Sequence, residues 1–201
     1  MDHKFIESSL PLTKWVKVSL NAGSAGIYAK IHQTKERDFD KVIKNIKRAI
    51  KFKRDNGIQC TLGVQTLLLP ENSCEITDLA KLCRDEMSVD YLVVKPYSQH
   101  SLSNTRIYEN IDYSKYLDLE KELETLSTES FQIIFRKNTM KKHMMDDAHR
   151  YTKCHSTPYL WAYTMADGSV YGCSAYLLDD RFQYGNLNDL SFNEIWQGEK
   201  R

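Results

Sequence analysis

Apolar positions along the first half of the chain alternate between a period of two and a period near 3.6, and this switching predicts its elements. WVKVSL (15–20) alternates apolar and polar residues and carries two valines, so it reads as a strand ended by Asn21, Ala22 and Gly23. A short helix is expected from about Ser24 to His32. Phe39, Val42, Ile43, Ile46, Ala49 and Ile50 then recur at helical spacing, with Asp38 as the expected cap and Gly57 as the stop. IQCTLGVQTLLL (58–69) is the second strand, broken by Pro70 and Glu71. Asn72 with Glu75 three residues on predicts a helix start, and Ile76, Leu79, Ala80 and Cys83 share the apolar face of a helix running to about Glu86. DYLVVKP (90–96) is a third, largely apolar strand of the kind buried on both faces.

Strand, helix, strand, helix, strand at this spacing predicts an α/β fold with a parallel sheet. In such sheets ligands sit at the carboxyl ends of the strands, here Ser19 to Gly23, Gln65 to Thr66 and Lys95 to His100. Further on, residues 113–126 read as a helix and FQIIFR (131–136) as a short strand. The charged run KKHMMDDAHR marks a domain boundary, giving units 1–145 and 146–201. The second unit is aromatic. An Asp167-Gly168 turn of type I′ predicts a hairpin, and Ser191 with Glu194 predicts a capping-box start to one short helix.

Composition narrows the function classes. The 201 residues carry 28 basic against 27 acidic side chains, so no global field favours nucleic acid or an anionic membrane. The Lys- and Arg-rich side of the 38–50 helix reads as a solvated face. Apolar runs are too short for a membrane span, and MDHKFIESSL lacks the layout of a secretory signal. Five cysteines, odd in number and scattered, do not suggest a disulfide framework and point to a reducing, cytoplasmic setting. Cys60 and Cys83 read as buried strand and helix thiols. Cys74 stands at a helix start with no histidine nearby in sequence, and a passive role is expected. Cys154 and Cys173 bracket the hairpin. They read either as paired core thiols or as half of a tetrahedral or iron–sulfur metal site.

The order Cys154, thirteen residues, Gly168, four residues, Cys173, then Gly185-Asn186 and SFNEIW resembles the opening of the SPASM or twitch domain of radical SAM enzymes. Pro158, Asp167, Val170, Leu187, Ser191, Glu194, Ile195 and Trp196 fit the same pattern. WVKVSLNAG, YAKIH and FDKVIKNIKRAI resemble the fourth strand and following helix of a radical SAM barrel, TLGVQTLLLPENSCEITDLAKLC the fifth strand and helix, and DYLVVKPYSQH the sixth strand. The resemblance implies a partial parallel (β/α) radical SAM barrel followed by a small hairpin-plus-helix SPASM segment. The C-x3-C-x2-C motif that holds the SAM-cleaving cluster in the family does not occur in the sequence.

The resemblance also implies cofactors and sites. Cys154 and Cys173 would ligate an auxiliary [4Fe–4S] cluster. S-adenosylmethionine would lie over the strand ends, with Ser19 and Asn21 at its ribose or amino-acid part, Gln65 near the ribose or adenine, and Val94 to Pro96 walling the adenine. Lys30 or His32 would meet its carboxylate. Apart from the resemblance, Lys95 at a strand end reads as holding an anionic substrate group or meeting a carboxylate, and Tyr97, Gln99 and His100 in the same loop are candidates to line a substrate pocket. Ordinary strand-end polar groups satisfying loop backbone are the alternative reading of the strand-end residues. The expected chemistry is radical modification of a peptide or small molecule, dependent on an amino-terminal half or a partner chain. A zinc module built on His149, Cys154, His155 and Cys173, or a remnant with open sheet edges, are the alternatives.

Overall fold

In the computed structural model, which describes residues 3–100, 102–144, 153–155 and 157–201, Val16 and Val18 lie on one side of the first strand and Trp15, Lys17 and Ser19 on the other. That alternation organises the larger of two units, residues 1–99 with 105–146. Its strands are β1 (Trp15–Ser19), β2 (Thr61–Leu68), β3 (Tyr91–Pro96) and β4 (Gln132–Phe135). They pair in parallel in the order β1-β2-β3-β4, with Ser19 opposite Gln65, Gln65 opposite Val93, and Val93 opposite Ile134.

Helices α1 (His3–Ser9), α2 (Ala25–His32), α3 (Glu36–Asp55), α4 (Ile76–Lys81), α5 (Leu119–Glu124) and α6 (Lys137–His143) accompany the sheet. Val16, Val18, Leu62, Val64, Leu92, Val94, Ile133 and Phe135 pack with Ile6, Phe39, Ile43, Ile46, Leu79, Leu123 and Met140 in one core. Burial of such side chains away from water is the main stabilising term here. The opposite sheet face is exposed at its edge strands, where Trp15 is 60% and Ile134 48% exposed, while Val93 on central β3 is 9% exposed.

Three local expectations are corrected. Asp38 lies inside α3, whose cap position is Lys35; its carboxylate accepts the Thr34 hydroxyl at 2.6 Å. Asn72 does not cap a helix with its side chain. It is fully buried, accepts the Leu69 N–H at 2.9 Å, and donates to the carbonyls of Asn21 and Leu67 at 2.8 Å each. Glu75 reaches across instead to the Gly23 N–H (3.1 Å) and the Ser24 hydroxyl (2.5 Å). The expected helix over 113–126 is a 3-10 turn at Tyr113–Tyr116 followed by α5. Tyr113 is the reason for the break. Its buried hydroxyl accepts the Tyr97 N–H at 2.7 Å and donates to the Leu68 carbonyl at 3.2 Å, fixing the turn to two strand ends. Burial pushes its pKa up to about 12.

The second unit, residues 100–104 with 147–201, contains α7 (Thr157–Leu160), β5 (Tyr163–Thr164), β6 (Ser169–Tyr171), β7 (Gln183–Asn186) and α8 (Phe192–Gln197). Its three strands are antiparallel in the order β5-β6-β7. The hairpin turn is not of type I′, since only Gly168 of the Asp-Gly pair has positive φ (84°). Gly168 N–H returns to the Met165 carbonyl (3.0 Å) and Met165 N–H pairs with the Ser169 carbonyl (2.8 Å), which makes a three-residue loop ending on a left-handed glycine. The capping box at Ser191 and Glu194 forms as expected.

Candidate functional site

Strand alternation sorts the sequence-predicted residues of the larger unit into two groups. Ser19 on β1 and Gln65 on β2 are register partners, and Lys95 on β3 is the partner of Leu67. All three follow the alternation of the open sheet face. Pro96 follows that of Leu92 and Val94 and is buried on the helix-covered side, so of the Val94 to Pro96 stretch only the Lys95 side chain is offered to the open face.

Asn21 sits just past the end of β1 and is committed to the scaffold. Its side-chain oxygen accepts the Leu67 N–H at 2.8 Å, its carbonyl accepts from Asn72, and its N–H donates to His32 Nε2 at 3.4 Å. His32 stacks on Tyr28 with ring centroids 4.3 Å apart, and burial holds its pKa below the ordinary value. A ring nitrogen that accepts a backbone N–H is neutral, so His32 serves the strand end here rather than offering a cation. Lys30 is exposed on α2.

Two residues that the sequence reading left out complete the open face. Lys17 shares the alternation of Ser19, and Arg136, one residue past β4, stands beside Lys95, since its N–H pairs with the Val94 carbonyl. Strand periodicity in β1 and β4 was the signal for both. The pKa of Lys95 is lowered, first by burial and then by the like charges of Lys17 and Arg136. Beneath them Tyr91 lies over Gly63, where a Cβ would come within 2.3 Å of the ring.

Past the strand ends, Tyr97 and Tyr108 meet edge to face at 5.6 Å, and Tyr108 donates to Glu71 Oε1 at 3.1 Å. Glu71 Oε2 is buried with no hydrogen-bond partner among the described residues. A separate cleft of about 660 Å³ lies in the helical layer between α3 and α4, lined by Phe39, Ile43, Lys47, Asp78 and Glu86.

In the smaller unit, Cys154 and Cys173 are both of intermediate exposure and in no disulfide; Cys60 and Cys83 are buried and Cys74 exposed, likewise in none. Tyr163 pairs with Tyr171, so continuing the register sets Trp161 against Cys173, and α7 stands between Trp161 and Cys154. The cysteines therefore flank a helical turn plus a hairpin rather than the bare ends of a hairpin. Cys173 is extended and opens a 3-10 turn, and the His100 ring bonds the Ser174 carbonyl next to it through Nε2 (2.6 Å). His149 lies outside the described residues. Among the described residues no three His, Cys, Asp or Glu side chains converge on one point as a metal site would require. Thiolates are the donor type that holds an iron–sulfur cluster, usually four to a cluster.

The turn below them is fixed by two asparagines. Asn188 donates to the Asp167 carbonyl at 2.8 Å, Asn186 donates to the same carbonyl at 3.2 Å, and Leu187 N–H reaches the Gly168 carbonyl at 2.9 Å. Gly185 leaves room for Ile195 of α8, whose Cγ1 would lie 3.0 Å from a Cβ there. The Gly-Asn-Leu stretch and the α8 helix are thus one device that holds the hairpin.

Residues 154–201 match the family model of SPASM, described as an iron–sulfur cluster-binding domain. No curated protein matches the chain. Among solved structures, SuiB of Streptococcus suis aligns with 99% of this chain and 47% of its own, at 15% identity and a TM-score of 0.69. The structure of SuiB bound to S-adenosylmethionine aligns with 98% of this chain and 46% of its own, at 15% identity and a TM-score of 0.68. The chain spans about half the length of these structures. The expected architecture, an α/β unit with a parallel sheet followed by a SPASM segment, is borne out.

Proposed function

We propose that this chain is an iron–sulfur protein of the radical SAM type, in which Cys154 and Cys173 ligate an auxiliary [4Fe–4S] cluster and the open sheet face of the larger unit receives S-adenosylmethionine and substrate. The observation that carries the proposal is the SPASM match over 154–201, which has Cys154 as its first residue and contains Cys173. Thiolates are the usual protein ligands of such clusters, and these two are in no disulfide and partly accessible. The cluster would store and pass single electrons.

Ser19 and Gln65, adjacent across β1 and β2 on the open face, offer a hydroxyl and an amide suited to ribose hydroxyls. That one SuiB structure contains S-adenosylmethionine supports a SAM-facing role for the same sheet face here. The family chemistry is radical modification of a peptide or small molecule; its initiation needs a SAM-cleaving cluster, whose three-cysteine motif would come from an amino-terminal half or a partner chain.

Metal analysis of anaerobically reconstituted protein tests this reading. Iron with matching sulfide, lost in a Cys154→Ala/Cys173→Ala variant, is the expected result. Zinc at one per chain with no sulfide would replace it with the structural-zinc alternative.

A further inference from the structure

Residues 100–104 follow β3 in the chain yet pack with residues 147–201 in the smaller unit. Gln99 Nε2 donates to the Thr105 carbonyl at 3.1 Å and closes this excursion at its base. His100 builds the turn that opens it. Its carbonyl accepts the Ser103 N–H at 3.0 Å, and its ring Nδ1 accepts the Leu102 N–H at 3.1 Å. A ring nitrogen that accepts a backbone N–H carries no proton, so the proton of the neutral ring is on Nε2. Nε2 donates it to the Ser174 carbonyl at 2.6 Å, across 74 residues of sequence.

Ser174 is the neighbour of Cys173, and the chain is held at three points around that cysteine. Before it, Gly172 N–H donates to the Phe182 carbonyl at 3.2 Å, and the Tyr184 hydroxyl leaves no room for a Cβ on Gly172. At the cysteine, whose backbone is extended, the carbonyl accepts the Tyr176 N–H at 3.3 Å. After it, the His100 bond fixes the plane of the Ser174–Ala175 peptide. The first two anchors come from the segment that carries the cysteine, and the third comes from the loop after β3. His100, Cys173 and Ser174 are all half-buried, where a hydrogen bond is stronger than in water. Backbone held on both sides of a residue fixes the direction of its Cα–Cβ bond and limits its rotamers, and so limits where the Cys173 sulfur can reach.

We infer that His100 is a positioning residue for Cys173: from the loop after β3 its Nε2–H holds the Ser174 carbonyl and keeps the cysteine sulfur in place to ligate the cluster. The inference rests on reading Cys173 as a cluster ligand. It adds to that reading an outer partner lying outside residues 154–201, the span of the SPASM match. Groups that orient a metal ligand from behind in this way change metal retention when they are removed.

Site-resolved alkylation of the 201-residue protein by iodoacetamide, read by peptide mass spectrometry before any iron is added, tests the clamp itself. Cys173 should react about fivefold faster in His100→Ala, as expected when a hydrogen bond no longer holds a local opening closed. His100→Asn keeps an acceptor for the Leu102 N–H but is too short to reach Ser174, and should behave like His100→Ala. His100→Gln, whose amide can reach the Ser174 carbonyl, should restore the parent rate. Buried Cys60 and Cys83 should keep their parent rates in all three variants. An unchanged Cys173 rate in His100→Ala, or an equal rise at Cys60 and Cys83, overturns the inference, the second because the variant would then have loosened the whole fold. After reconstitution with iron and sulfide, His100→Ala and His100→Asn should lose iron to a chelator about tenfold faster than the parent, with an altered electron paramagnetic resonance signal of the reduced cluster, and His100→Gln should match the parent in both. Parent-like iron loss and signal in His100→Ala also overturn the inference. A parent chain that takes up no cluster overturns the cluster reading instead, while the alkylation rates still decide whether His100 holds Cys173.

Discussion

Asn72 shows how much one buried side chain can organise. It ties the end of β2 to the loop after β1 through three hydrogen bonds at 2.8 to 2.9 Å while fully buried. Asn72→Ala leaves the Leu69 N–H and two carbonyls without that partner, and each buried group so stranded costs about 1–3 kcal/mol. The variant should unfold at markedly lower denaturant concentration, with a loss of about 3 kcal/mol or more in ΔG; an unchanged midpoint would contradict this role. Sequence alone read Asn72 and Glu75 as a local cap, because the Asn-x-x-Glu spacing is a capping signal. The structure spends both side chains on tertiary bonds instead, which no local pattern encodes. The strand boundaries, by contrast, placed Ser19, Gln65 and Lys95 at or near the carboxyl ends of β1, β2 and β3. Lys17 and Arg136 were equally readable by alternation, but their meeting with Lys95 depends on strand order and register, which a single sequence does not state.

At the level of elements, the strands and the long helix α3 were legible because their apolar periods are sustained, and the helix over 113–126 was not, because Tyr113 is drawn to the β2 and β3 ends. The hairpin was legible as Asp-Gly, while its loop length was set by the asparagine clasp from 186 and 188. Helix α8 stands on its capping box: the Ser191 hydroxyl accepts the Glu194 N–H at 3.3 Å and the Glu194 carboxylate accepts the Ser191 N–H at 2.8 Å. Ser191→Ala should destabilise the smaller unit by about 1 kcal/mol. Because Ile195 of α8 packs on Gly185 of β7, faster amide hydrogen exchange should appear in both α8 and the β6/β7 ladder. Exchange that rises in α8 alone would mean that the helix does not support the hairpin.

For the whole molecule, the proposed function divides its residues between the two units. The larger presents a sheet face with the Ser19 hydroxyl and the Gln65 amide, and the smaller presents two cysteines, in no disulfide, within a SPASM match. The central claim is that those thiols hold an iron–sulfur cluster. The direct measurement is the absorption spectrum of the protein after anaerobic reconstitution with iron and sulfide, recorded beside the Cys154→Ala/Cys173→Ala variant. A broad thiolate-to-iron charge-transfer band near ~400 nm in the parent chain, absent from the variant, is the predicted result. A band of equal strength in both proteins, or none in either, would contradict it and return Cys154 and Cys173 to the role of quiet thiols beside a hairpin.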